Sequence, residues 1–173
     1  MGGRGSNSGV GGATASANAM LPSYDTTALA KRILNGLPEL SGTLKQVRWA
    51  SDIRNEARQT MFQAITTKYN IGSDTYKDIA NGKKSMQDGV QKAYNMSFEL
   101  SGNKTVAKEW AERRAKAYKD VSDDLQRVDT ILQGKTESSW WIKNRINTAL
   151  TFREYVTSGK TVSEMEKSGW FKR

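Results

Sequence analysis

Residues 104–133 read KTVAKEWAERRAKAYKDVSDDLQRVDTILQ, a run free of Gly and Pro. Within it Tyr118, Val121, Leu125, Val128 and Leu132 follow one another at steps of three and four. On a helix of about 3.6 residues per turn that spacing draws a single apolar seam. Val106 and Trp110 extend the seam toward the N-terminus, and Gly134 supplies a stop signal. A long helix is therefore expected here, packed inside an intramolecular bundle. The heptad-like spacing keeps self-association through the same five residues as an alternative.

Working outward, the same period recurs. Ser41-Gly42-Thr43 precedes a run from Leu44 to about Lys68 in which Ala50, Ile53, Ala57, Met61 and Ala64 form one stripe, bordered by Trp49 and Val47. A shorter helix is expected from Thr26 to Asn35, stopped by Gly36 and Pro38. Ser73 and Ser85 read as caps of two short helices around Asn81-Gly82-Lys83-Lys84, the second closing at Ser101-Gly102. A helix from Ser138 to about Thr157 carries Trp141, Ile142, Ile146, Ala149, Leu150 and Val156. A last short helix is capped by Thr161 or Ser163 and ends at Gly169. A period of two is nowhere sustained. The expected fold is all-α, a compact bundle of about five to seven helices. Residues 24–173 make one helical domain. Residues 1–23, with six of the fifteen glycines and a single charge at Arg4, read as a flexible Gly/Ser-rich leader, a disordered tail.

Composition narrows the chemistry. The 173 residues hold no His and no Cys, and 27 Lys and Arg outnumber 18 Asp and Glu for a net charge of +9. Thiol nucleophiles, histidine triads and Cys/His zinc sites are thereby excluded. Asp123, Asp124 and Asp129 form the one acidic cluster, but Arg127 and Lys119 interleave it, and a solvated charged face is expected rather than a metal site. Gly159-Lys160-Thr161 lacks the upstream glycine and strand of a phosphate loop. No enzyme activity, cofactor or metal is expected. No segment approaches the ~18 consecutive apolar residues of a membrane span, so no membrane partner is expected and the cytoplasm of a bacterial host is the expected location.

The basic residues carry the stronger signal, because excess cationic charge favours polyanionic partners. Lys45 and Arg48 lie on one side of the second helix, Arg54 and Arg58 on another. Arg113, Arg114, Lys116 and Lys119 cluster on the long helix, where Glu109, Glu112 and Asp120 are placed to pair with them. Lys143, Arg145 and Arg153 decorate the helix that begins Trp140-Trp141. Adjacent tryptophans point about 100° apart, so one can fill the core while Trp140 is offered to a partner. The expected binding residues are Lys45, Arg48, Arg54, Arg58, Trp140, Lys143, Asn144, Arg145 and Arg153.

Residues 40–54, LSGTLKQVRWASDIR, resemble a module recurrent in proteins of bacteriophages and integrative elements. Its pattern is roughly L-x-G-S/T-x-K-Q-I/V-x-W-A-x-x-I-R, paired downstream with W-W/F-I-D-N-R. The second patch stands here as WWIKNR at 140–145, with Lys143 in place of the acid, so any role of that carboxylate is lost. The resemblance implies a mobile-element origin. A small basic non-enzymatic phage protein resembles, as a class, the anti-CRISPR proteins, which bind a type II effector nuclease by occupying its nucleic-acid channels or docking sites. The implied partner is nucleic acid or a nucleic-acid-bound host nuclease. The alternatives are a direct DNA- or RNA-binding accessory protein of replication, recombination or packaging, and a virion structural or scaffolding protein.

Overall fold

The structure, a computed structural model, describes residues 36–167 and 169, the side chains at 147 and 149–153 excepted. Among the described residues there are six helices and no strand. They are α1 (Leu44–Lys68), α2 (Ser73–Ala80), α3 (Met86–Ser101), α4 (Lys104–Gln133), α5 (Ser138–Ser158) and α6 (Val162–Lys167). The all-α class read from periodicity is the class adopted. The leader expected at 1–23 and the helix expected at 26–35 lie outside the described residues.

Local signals set most helix ends. Thr43 caps α1 and Gln46 answers it, the two closing a reciprocal capping box. Ser85 and Asp88 do the same for α3. Gly102, at φ 63°, turns the chain from α3 into α4, whose first N–H groups at Thr105 and Val106 donate to Asn103 Oδ1. Two expected signals act differently. The N-cap of α2 is Gly72, while Ser73 turns its hydroxyl onto Thr66 Oγ1 at 2.9 Å. Gly134 sits at φ −77°, a conformation open to any residue, and α4 ends in tightened last-turn bonds from Gly134 and Lys135 to the Ile131 and Leu132 carbonyls.

α3 and α4 form an antiparallel hairpin. Ala107, Ala111 and Ala115 line the buried side of α4, and Gly89 and Ser97 stand on the facing side of α3. Small residues let the two backbones approach closely. A Cβ at Gly89 would lie 2.1 Å from the Tyr118 hydroxyl. The seam therefore shifts onto alanine in the N-terminal half of α4. Val106 is only half-buried and Trp110 is 49% exposed, so neither extends the core as expected.

Tyr118, Val121, Leu125, Val128 and Leu132 are all buried in the one core cluster, which draws on every helix from α1 to α6. That closes the self-association alternative for these residues, because the chain's own helices already cover the seam.

α1 and α5 lie side by side in the same direction. Their starts are tied by a parallel bridge in which Ser41 N–H donates to the Thr136 carbonyl at 2.8 Å and Ser138 N–H donates to the Ser41 carbonyl at 3.0 Å. The core side of α5 is Trp141, Asn144, Thr148 and Tyr155, while the expected core residues Ile146 and Val156 are 64% and 44% exposed. Burying the two polar residues is tolerable because Asn144 Nδ2 donates to the Trp140 carbonyl and Thr148 Oγ1 to the Asn144 carbonyl.

Candidate partner-binding face

The parallel α1/α5 pair brings together two stretches of sequence that are 95 residues apart at Ser41 and Thr136. On α1, Leu44, Lys45, Arg48, Trp49 and Asp52 line a shallow surface groove. Trp49 is 49% exposed, and the Arg145 guanidinium of α5 lies over its ring at 5.6 Å from the centroid. That distance is within the range of a cation–π contact. Lys143 is exposed on the same first two turns of α5 but about 160° around the helix from Arg145, so of the two it is Arg145 that meets Trp49, with the exposed Ile146 next to it in sequence. Among the described residues Lys45, Arg48, Lys143 and Arg145 form no ion pair, which leaves their charge available to a partner.

The joint between the two patches depends on Gly42. Its φ is +139°, and a Cβ there would come within 3.2 Å of both Cβ and Oγ of Ser138. A side chain at this position would meet a strained backbone and a neighbour with nowhere to go, because Ser138 is itself buried.

The remaining expected binding residues separate from this face. Arg54 donates to the Pro38 carbonyl at 2.6 Å and secures the segment that leads into α1. Arg58 is half-buried next to Asn55, where burial and then the Arg54 charge lower its pKa while the Asp129 charge opposes them. Both therefore serve the packing of the chain on itself. Trp140, expected as the presented indole, is half-buried, edge-on to Trp141 at 5.1 Å, with the Lys135 ammonium 4.6 Å from its centroid. It also lies about 140° around α5 from Arg145. Asn144 is buried and spent on the helix backbone. The side chain of Arg153 lies outside the described residues. Trp49 is the residue the binding set lacked. The signal for it was its place at the border of the α1 stripe, next to Arg48.

Most of the basic cluster on α4 is neutralised by ion pairs, Arg114 excepted. Lys108–Glu112, Arg113–Glu109, Lys116–Asp120 and Lys119–Asp123 are all four-residue pairs, and Arg127 meets Glu166 of α6. Such pairs contribute little to stability, but they cancel the field that would attract phosphate.

The acidic cluster departs from the solvated face expected of it. Asp124 and Asp129 are 3% and 2% exposed, on opposite borders of the buried seam, and only Asp123 lies near the surface with Lys119. Asp124 accepts hydrogen bonds from Tyr155 Oη at 2.6 Å, Tyr69 Oη at 2.7 Å and the Val162 N–H at 2.9 Å. Lys68 lies over the Tyr155 ring at 4.0 Å and donates to the Lys160 carbonyl. This network joins the ends of α1 and α5 and the start of α6 to the middle of α4. It satisfies a buried carboxylate and acts as a clasp. Among the described residues no group of carboxylates is arranged to hold a metal ion, and no helix is long and apolar enough to cross a membrane.

The described residues form a helical protein with a mixed cationic and aromatic face at the starts of α1 and α5. The chain matches no protein-family model, no curated protein and no solved structure.

Proposed function

We propose that this protein is a non-enzymatic accessory protein of a bacteriophage or related element that inhibits a host defence nuclease, of the anti-CRISPR kind, by laying the α1/α5 face on the nuclease in its nucleic-acid-bound form. One observation carries the reading. The starts of the two patches that resemble a mobile-element module come together at the parallel starts of α1 and α5, with Lys45, Arg48 and Arg145 around the exposed Trp49. Arginine and tryptophan are typical interface anchors, and unpaired cations around an indole suit a surface that meets phosphate and a ring or a pocket together.

A type II effector loaded with guide RNA is the test system. Stoichiometric protein is expected to abolish target DNA cleavage, and the combined Lys45→Glu, Arg48→Glu and Arg145→Glu variant to restore it. The direct nucleic-acid reading is favoured separately by the Arg145–Trp49 stack, and its test is salt. Three phosphate contacts give a slope of about −2.7 in log K against log salt, roughly a fortyfold loss from 50 to 200 mM. Oligonucleotide binding with that slope and no effect on cleavage would favour the accessory DNA- or RNA-binding role. Neither inhibition nor low-salt binding would remove both readings.

A further inference from the structure

A second surface lies away from α1 and α5. Between α2 and the α3/α4 hairpin runs a groove of about 570 Å³, within the size range of pockets that take one or two large side chains. Its floor and walls are Ile79, Met96 and Tyr118, and its edges carry Lys84, Lys92 and Arg114. Asp88 is the one carboxylate among the lining residues, and it is engaged with Ser85 in the cap of α3. The Arg114 guanidinium is fixed by donation to the Asn70 carbonyl at 3.0 Å, a neutral acceptor that leaves its charge intact.

The groove continues into an apolar strip toward the hairpin tip. Met96 is 50% exposed, Leu100 one helical turn further is 82% exposed, and Trp110 of α4 is 49% exposed. Helical spacing puts Met96 and Leu100 on one flank of α3, and the antiparallel pairing puts Trp110 and Arg114 on the adjoining flank of α4. Exposed apolar residues lined up along a groove mark docking sites for amphipathic helices. Charge selects the occupant. Lys84 is paired with Asp78, so Lys92 and Arg114 supply the rim charge, and with the one lining carboxylate already used the groove is complementary to an acidic helix. Within the groove the one lining aromatic ring, Tyr118, is buried, and the exposed Trp110 ring lies outside it on the strip.

We propose that this groove binds an acidic amphipathic helix of a partner protein, seating one large apolar side chain against Ile79 and Met96 while carboxylates meet Lys92 and Arg114. The site is independent of the α1/α5 face, so either can fail without the other.

The probe is a dye-labelled peptide of about 18 residues, five helical turns, with Leu and Trp at i, i+3, i+4 and i+7 spacing and Glu elsewhere. It is titrated by anisotropy against the full chain at about 0.15 M salt, where distant surface charges are screened. Controls are the same peptide with Lys for Glu and a thymidine oligonucleotide. The acidic peptide is expected to bind and the Lys peptide to bind at least ~10-fold more weakly. Met96→Glu and Lys92→Glu are each expected to weaken the acidic peptide ~10-fold or more, with Lys45→Ala/Arg48→Ala leaving it unchanged. Lys92 is exposed, so Lys92→Glu keeps the test valid should Met96→Glu fold poorly. Indifference to the groove variants, equal binding of both peptides, or displacement of the peptide by the oligonucleotide would each overturn the proposal.

Discussion

Asp124→Ala is the sharpest perturbation of this fold. The carboxylate accepts three donors, and removing it strands them unequally. Tyr155 Oη and the Val162 N–H are buried, whereas Tyr69 is half-buried and its hydroxyl can turn to water. An unsatisfied buried donor costs about 1–3 kcal/mol, so the two buried ones together predict about 4 kcal/mol. A folded domain is stable by about 5–15 kcal/mol, so this is a large fraction of the total. In urea unfolding followed by tryptophan fluorescence, a slope of about 2 kcal/mol/M places the midpoint about 2 M lower. The loss should begin locally, because α6 is held through Val162 to Asp124 and through Glu166 to Arg127. Amide exchange at Val162 is therefore expected to accelerate before that at Leu125. Asp123→Ala, one residue away but paired at the surface with Lys119, should stay within about 0.5 kcal/mol of wild type. An Asp124→Ala protein within about 1 kcal/mol of wild type, with Val162 exchange unchanged, would refute the clasp.

Three further outcomes follow from the same contacts. Burial raises the pKa of Tyr155 and Tyr69, helped by donation to Asp124 and by its charge, and burial pushes Tyr76 up to about 12. Unfolded tyrosine titrates near ~10, so above that pH the unfolded chain binds fewer protons than the folded one. The tyrosine contribution to stability should be constant below pH ~10 and then fall by about 1.4 kcal/mol per pH unit per tyrosine, and urea midpoints in which Tyr155→Phe fails to flatten that fall would contradict the assignment. Gly42→Val, strained at φ +139° and pressed on Ser138, should cost about 1–3 kcal/mol and reduce binding through the α1/α5 face, measured by unfolding and by the cleavage assay. Trp141→Ala should cost about 3–5 kcal/mol and Trp49→Ala less than about 1, because the first indole is buried and the second is half exposed; calorimetry giving equal losses would reverse their roles.

How much of this was legible in the chain varies by element. The bounds of α1 and α4 follow from runs uninterrupted by Gly or Pro and from Thr43 and Asn103 at their starts. The α5 stripe was misread toward Ile146 because hydrophobicity pointed there, whereas Asn144 and Thr148 go inside once their polar groups bond to their own helix. Asp124 looked like surface charge among lysines and arginines. Its donors lie 55, 31 and 38 residues away, at separations no periodicity reveals. Trp140 and Trp49 changed places as the presented indole for a similar reason, since which indole faces solvent depends on the neighbour each helix acquires.

By itself, the sequence determined that this is an all-α chain, cationic, without thiol or imidazole chemistry, and with a buried seam along its longest helix. Those properties are local or additive: helix formation rests on spacing within a turn or two, and composition needs no geometry. Tertiary structure alone decided that the starts of α1 and α5 lie side by side with Arg145 over Trp49, and that a carboxylate of α4 is buried under donors from α5, α6 and the end of α1. Each of these depends on which helices pack together and in which direction, and that choice is made by the burial of side chains distant in sequence, Trp141, Tyr155 and Phe62 among them.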